Sequence, residues 1–411
     1  MTNEANSADE RLFGGMEPSA LAALLRGGFA TWIDTDAADA ECTAAQAAVV
    51  VNAPIETTFA TATDFGCFHQ FVSLSKPSQI EHLGPNRQRV TFRQRIGLAF
   101  LSVGIDLTFE MRLEPPHRLI CERYVDGAFS TALFAMDLVA LDEESTLLFV
   151  TFLADMRSLG WLVRAFLKRL PELETAIAGN VPILPATAFA AEAERRAGRR
   201  ALVGPPAKEL HEAIADGSAA PALKNGLLTV GRLDDRGEIC DMSSATRIRA
   251  TPARVWPSVV DPKVRQDIVS IVDRGKIKRK TADRLVFTYS YVVRIGPLRK
   301  RYTTTVEARY RAPEAGQDGF LVAERGDTDG RPIQYADHLV ADGDGAILCH
   351  TYWADLKTDW LSKRFLSSHP EMERLIGTYP PFILVRGIRE HYRQYSEPTG
   401  VGHTTGTPPR T

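Results

Sequence analysis

Tyr335 and Asp337 stand two residues apart in the run Gln334-Tyr335-Ala336-Asp337-His338-Leu339-Val340, so an extended backbone turns both side chains to one face. Tyr289 and Tyr291 repeat that spacing in Val286-Phe287-Thr288-Tyr289-Ser290-Tyr291. Arg325 follows Leu321 and Ala323 at alternate positions, as Arg123 follows Leu119 and Cys121. Phenols, a guanidinium and a carboxylate in an apolar setting can polarise a carbonyl, hold an enolate and move a proton. Tyr291, Arg325, Tyr335 and Asp337 are therefore the candidate catalytic set. A structural alternative stays open for each. An inward arginine also pairs with an internal carboxylate, for which Asp337 is available, and buried phenols also build a hydrogen-bonded core or an interface.

The elements that position these residues occur twice. Thr151, Ala154 and Asp155 return as Thr351, Ala354 and Asp355, and Pro171-Glu172-Leu173-Glu174 returns as Pro370-Glu371-Met372-Glu373. Each copy opens with a strand ending at proline and a short helix: Val49 to Pro54 then Ile55 to Asp64, and Thr246 to Pro252 then Ala253 to Asp261. Alternating segments with short Gly, Pro and Asp-rich connections follow, which predicts an antiparallel sheet. Helical sequence closes each copy, with Pro171 and Pro370 suited to a first turn and Pro182 and Pro381 to a kink. The expected organisation is a helical extension over 1–48, a first domain over 49–198, a linker over 199–241, a second domain over 242–396 and a disordered tail over 397–411.

Laid over each other, the copies differ in kind. Phe92 becomes Tyr291, Val90 becomes Tyr289, Phe134 becomes Tyr335, Met136 becomes Asp337, Phe152 becomes Tyr352 and Leu153 becomes Trp353. If those faces point inward, the second copy is the place for polar recognition, and exchanging Tyr335 and Asp337 for Phe and Met should remove it with the fold intact. Asp155 and Asp355, where the last strand ends, suit either a base beside a cavity mouth or a helix cap.

The order of strand, short helix, antiparallel strands and terminal helix is that of a sheet curled around a helix, an α+β architecture. Here the chain resembles the SRPBCC or START-like (helix-grip, birch-pollen-allergen-like) superfamily, in its coenzyme Q-binding and polyketide cyclase-like branch. The resemblance rests on Val51-Asn52-Ala53-Pro54-Ile55-Glu56, Val125-Asp126-Gly127-Ala128-Phe129 and Leu170-Pro171-Glu172-Leu173. It implies two helix-grip domains, each a curved antiparallel sheet around a long C-terminal helix with an internal apolar cavity. It also implies binding of a hydrophobic small molecule (a lipid, isoprenoid quinone or polyketide-like compound), with a polyketide aromatase/cyclase as the alternative. The expected lining is Phe92, Phe109, Arg123, Phe134 and Met136 in the first copy. In the second it is Tyr289, Tyr302, Tyr352, Trp353 and Asp355.

Composition narrows the rest. With 49 basic against 51 acidic residues there is no global field that calls for nucleic acid. A local cluster, Arg274, Lys276, Lys278, Arg279 and Lys280, suits an anionic membrane, an acyl carrier protein or plain solvent. Five scattered cysteines fit a reducing compartment, and without a signal-like start a cytoplasmic protein, at most peripheral to a membrane, is expected. Of nine histidines only His338 is embedded among apolar strand residues, and none has a second ligand at metal-binding spacing, so neither metal nor cofactor is expected. No nucleotide loop or serine-hydrolase elbow occurs.

Overall fold

The computed structural model describes residues 12–34, 43–72, 75–98, 101–155, 158, 171–200, 208–234, 237–269, 272–295, 298–314, 317–329, 331–355, 363 and 370–394. Within these, the side chains of 43–44, 95–98, 101–103, 171–174, 291–295, 298–300, 370–372 and 394 lie outside the description.

The first half begins with α1 (Pro18–Leu25), β1 (Gly28–Asp34) and β2 (Thr43–Val51), then α2 (Ile55–Ala62) and α3 (Phe68–Phe71). Six strands follow: β3 (Ser75–Gly84), β4 (Arg87–Leu98), β5 (Leu101–Glu114), β6 (Arg118–Gly127), β7 (Ala132–Ala140) and β8 (Thr146–Ala154). Helices α4 (Pro171–Asn180) and α5 (Ile183–Arg196) end it.

The second half repeats the order. It has α6 (Leu210–Ala215), α7 (Ala220–Asn225), β9 (Gly226–Leu233), β10 (Ile239–Ile248), α8 (Pro252–Val260) and α9 (Pro262–Ile268). Then come β11 (Val272–Lys280), β12 (Arg284–Ile295), β13 (Leu298–Arg311), β14 (Gly319–Thr328), β15 (Arg331–Asp342) and β16 (Gly345–Ala354), with α10 (Pro370–Gly377) and α11 (Tyr379–Gln394) last. Each long terminal helix is two helices. The first breaks at Val181-Pro182, as the proline requires, but the second breaks at Thr378, three residues ahead of Pro381.

Among the described residues all sixteen strands join one antiparallel sheet whose ends are β11 and β3, with β9 and β1 side by side at its centre. The extension 1–48 thus contains a strand, and the linker 199–241 contains β9 and the start of β10. Neither shows alternation, because both faces are covered. Thr31 Oγ1 donates to Asn180 Oδ1 of α4 at 2.9 Å on one side, and Trp32 Nε1 donates to the Ala222 carbonyl of α7 at 2.8 Å on the other. Thr31 pairs with Thr229, Gly28 with Arg232 and Asp34 with Gly226. A shift of 198 (229 − 31) carries β1 onto β9 and maps this pairing onto itself, as at a two-fold axis.

Three apolar cores result. The first lies between the sheet and α4–α5, and the second between the sheet and α10–α11. A third, on the opposite face at the junction, packs α1, α6 and α7 over the central strands. The halves interlock, for Met242 joins the first core and Ala176 the second. Close approach of helix to strand depends on two equivalent glycines. A Cβ on Gly179 would overlap Ile33 Cδ1, and one on Gly377 would stand 2.6 Å from Ile239 Cδ1. Among the described residues no helix is long and apolar enough to cross a membrane.

Candidate functional site

In the first half the space between helix and sheet is bridged by phenyl rings. Phe189 of α5 meets Phe68 of α3 at 4.8 Å between centroids, Phe68 stacks on Phe92 of β4 at 5.5 Å, and Phe92 meets Phe109 and Phe134 at 6.1 Å each. Met136 is buried beside them. Phe92, Phe109, Phe134 and Met136 therefore share one apolar wall. Arg123 is not on it. Its exposed guanidinium pairs with Glu110 at 2.7 Å and, with Arg89, holds that carboxyl down at about 2.

The reason is a bulge. Glu110 pairs with Arg123 but Met111 with Cys121, so Glu122 is an extra residue that inverts the alternation beyond it. The second half repeats the device: Glu307 pairs with Arg325 and Ala308 with Ala323, leaving Glu324 over. Arg325 is exposed, outside the polar site, and does not meet Asp337.

The arginine that does is Arg265 in α9, only 4% exposed. It donates through Nε to the Ser258 carbonyl at 2.8 Å, through Nη2 to the Val259 carbonyl at 2.6 Å and to Asp337 Oδ2 at 2.7 Å, and through Nη1 to the Tyr335 hydroxyl. Asp337, fully buried, holds His350 Nδ1 with its other oxygen at 2.8 Å. β15 and β16 place these groups, since Asp337 is in register with His350 and Tyr335 with Tyr352. Tyr289 brings its ring to 6.4 Å from that of Tyr335, and Phe287 closes the cluster at 5.8 Å.

Electrostatics follow from the geometry. Burial alone would push the Asp337 carboxyl up, but Arg265 and His350 outweigh it and hold it below the ordinary 3.8. Burial wins at His350 over the attraction of Asp337 and keeps the imidazole below 6.5, hence neutral. A carboxylate only accepts, so Nδ1 carries the hydrogen and Nε2 is the basic nitrogen. Since Arg265 donates to the Tyr335 oxygen, the phenol hydrogen is left to be donated elsewhere. Burial raises the Tyr289 phenol well above its ordinary 10.0, so it stays protonated. The arrangement can offer phenol hydrogens to an oxygen atom, back one of them with a cation, and hold a base oriented by a carboxylate.

The other expected residues scatter. Tyr302 is half-buried on the face of Thr304 and Val306, and the side chain of Tyr291, opposite Tyr302 in register, lies outside the described residues. Tyr352 is buried in the second core, whereas Trp353 packs against the first. Asp355 is partly exposed and pairs with Arg331 at 3.0 Å. Arg274, Lys276, Lys278, Arg279 and Lys280 are all exposed on the edge strand β11, with Arg279 paired to Glu307 at 3.1 Å. Among the described residues no group of three or more His, Cys, Asp or Glu side chains is placed to hold a metal ion.

Arg265 and His350 were missed by sequence reasoning, yet a signal existed. Val72 N donates to the Phe68 carbonyl and Val269 N to the Arg265 carbonyl, both 197 residues apart, so Arg265 takes the place of Phe68. His350 likewise takes that of Val150, which is in register with Met136.

No protein-family model matches the chain, and no curated protein matches it. Among solved structures it is similar to the Zhui aromatase/cyclase from Streptomyces sp. R1128, with 18% identity over 38% of this chain and 95% of that one and a TM-score of 0.30. The di-domain ARO/CYC StfQ from the steffimycin biosynthetic pathway is 10% identical over 85% of this chain and 99% of its own, with a TM-score of 0.26. A STAR-related lipid transfer protein fragment from Xanthomonas axonopodis is 14% identical over 41% and 94%, with a TM-score of 0.30. At such scores these likenesses carry no argument about chemistry.

Proposed function

We propose that the chain binds a hydrophobic small molecule bearing oxygen, such as a lipid, isoprenoid quinone or polyketide-like compound, in its second half. The apolar body would lie between sheet and helix, and an oxygen would meet the phenols beside Tyr335. One observation carries this reading: Arg265, Tyr335, Asp337 and His350 occupy inward positions that the first half fills with Phe68, Phe134, Met136 and Val150. Hydrocarbon packs those positions next door, and a buried ion pair is a weak source of stability. Polar groups there are better accounted for by recognition.

The test is native mass spectrometry of gently purified protein, with solvent extraction of whatever is bound. The expected result is an intact hydrophobic molecule retained by the wild type and lost or weakened by Tyr335→Phe. A protein that comes off empty, and then takes up neither a phospholipid nor an isoprenoid quinone nor an aromatic polyketide, overturns the reading.

A second reading is favoured by the Arg265–Tyr335 and Asp337–His350 contacts. A phenol backed by a guanidinium suits a developing enolate, and His350, oriented by Asp337, suits proton removal, which together would serve an aromatase/cyclase acting on a reactive polyketide chain. Turnover of such a chain, abolished by His350→Val, would select it over simple carriage. For either reading β11 is the surface on which an acyl carrier protein or an anionic membrane would rest.

A further inference from the structure

On the outer face of the second half, behind the buried cluster, α6 crosses the sheet and leaves a cleft of about 350 Å³. Ser243 of β10, Thr351 of β16 and Gln334 and His338 of β15 form its floor, and His211 and Leu210 of α6 form one wall. This volume falls within the range of roughly 300–1,000 Å³ found for small-molecule sites.

The first half closes the same place. Gln46 is in register with Thr151 as Ser243 is with Thr351. The Gln46 side chain lies 3.4 Å from Thr151 Oγ1 through Nε2 and accepts the Phe13 N–H at 2.6 Å through Oε1, tying down the N-terminal segment. Ser243 stops at the Thr351 hydroxyl, 2.8 Å away. The shorter side chain leaves open what glutamine fills.

The chemistry of the walls selects the occupant. The His211 and His338 rings lie stacked at 4.7 Å and 10°. Charges at the rim are already matched: Arg232 pairs with Asp241 and, at 3.9 Å, with Glu209, and Lys208 pairs with Asp216. A charged ligand would have to break one of these pairs. An apolar one would cover the amide of Gln334 without offering it a hydrogen bond, and would leave unused the capacity that the Ser243–Thr351 hydroxyl pair keeps beyond its mutual bond. We propose that this cleft is a second small-molecule site, for an uncharged polyhydroxylated molecule of monosaccharide or nucleoside size. It is independent of the inner cluster.

The experiment titrates the full chain with glucose, myo-inositol and uridine as uncharged probes, and with acetate and tetramethylammonium as charged ones. The imidazole proton resonances of His211 and His338 are followed by NMR. At least one uncharged probe should give saturable shifts and the ions none. Ser243→Gln, which copies the residue the first half already accommodates, should abolish the shifts. Gln334→Ala should weaken binding about tenfold, as the loss of one hydrogen bond does. No saturable shift with any probe overturns the site, as do shifts unchanged in Ser243→Gln, and saturation by the ions alone overturns the ligand class.

Discussion

Met136 faces Val150 across β7 and β8, and at the same register Asp337 faces His350 across β15 and β16. Phe68 stacks on Phe92 in one half, where Arg265 reaches Asp337 in the other. The difference teaches that a polar core comes as a set. Each of Arg265, Asp337 and His350 is nearly inaccessible to water, so any of them alone would be an unpaired buried group.

The sharpest way to break the comparison is to import half of the first core. Tyr335→Phe with Asp337→Met strands Arg265 and should lower the stability of unfolding by about 3–5 kcal/mol, read as a fall in the urea midpoint. The expectation that this exchange leaves the fold intact is tested directly here, because Arg265 stays behind without its carboxylate. Adding Arg265→Phe and His350→Val completes the set, and the fourfold variant should match the wild type or exceed it by about 1–4 kcal/mol while losing the extractable ligand. A fourfold variant as unstable as the double one would mean that the two cores are not interchangeable.

A smaller effect separates the halves by pH. His350 and His338 lie below 6.5 in the folded chain, so as pH falls through that value the unfolded chain binds protons first and stability declines. Asp337, held below 3.8, gives up its contribution only in stronger acid, as pH falls past that value. Urea midpoints taken between about pH 7 and about pH 5 should fall less steeply in the fourfold variant than in the wild type. Equal slopes would mean that His350 is protonated as readily folded as unfolded. The smallest effect is expected of Arg325→Ala, an exposed change that should leave ligand content unaltered and stability within about 0.5 kcal/mol.

Legibility in the sequence followed burial. The repeat, the strands β4 to β7 and the phenyl-to-phenol exchange were readable because one face of each strand is core and the other is not. β1 and β9 were not, since both their faces are covered, and neither was β3, an edge strand that is exposed nearly throughout. Arg123 and Arg325 were misplaced by an extra residue, Glu122 or Glu324, that periodicity alone cannot reveal. Arg265 looks like a surface residue among Lys263, Gln266 and Asp267, and it becomes visible only when its helix is laid over Phe68.

The self-matching pairing of β1 with β9 has a consequence for descent. Two identical single-copy chains could meet along this strand by the same contacts, each using the same residues as the other, so the present molecule has the organisation of a homodimer with its subunits joined in one chain. A dimer of one gene product must carry every substitution twice. Once the copies share a single chain, a carboxylate can enter one and stay out of its twin, and a phenylalanine core can persist as the steady partner of a core free to acquire charge.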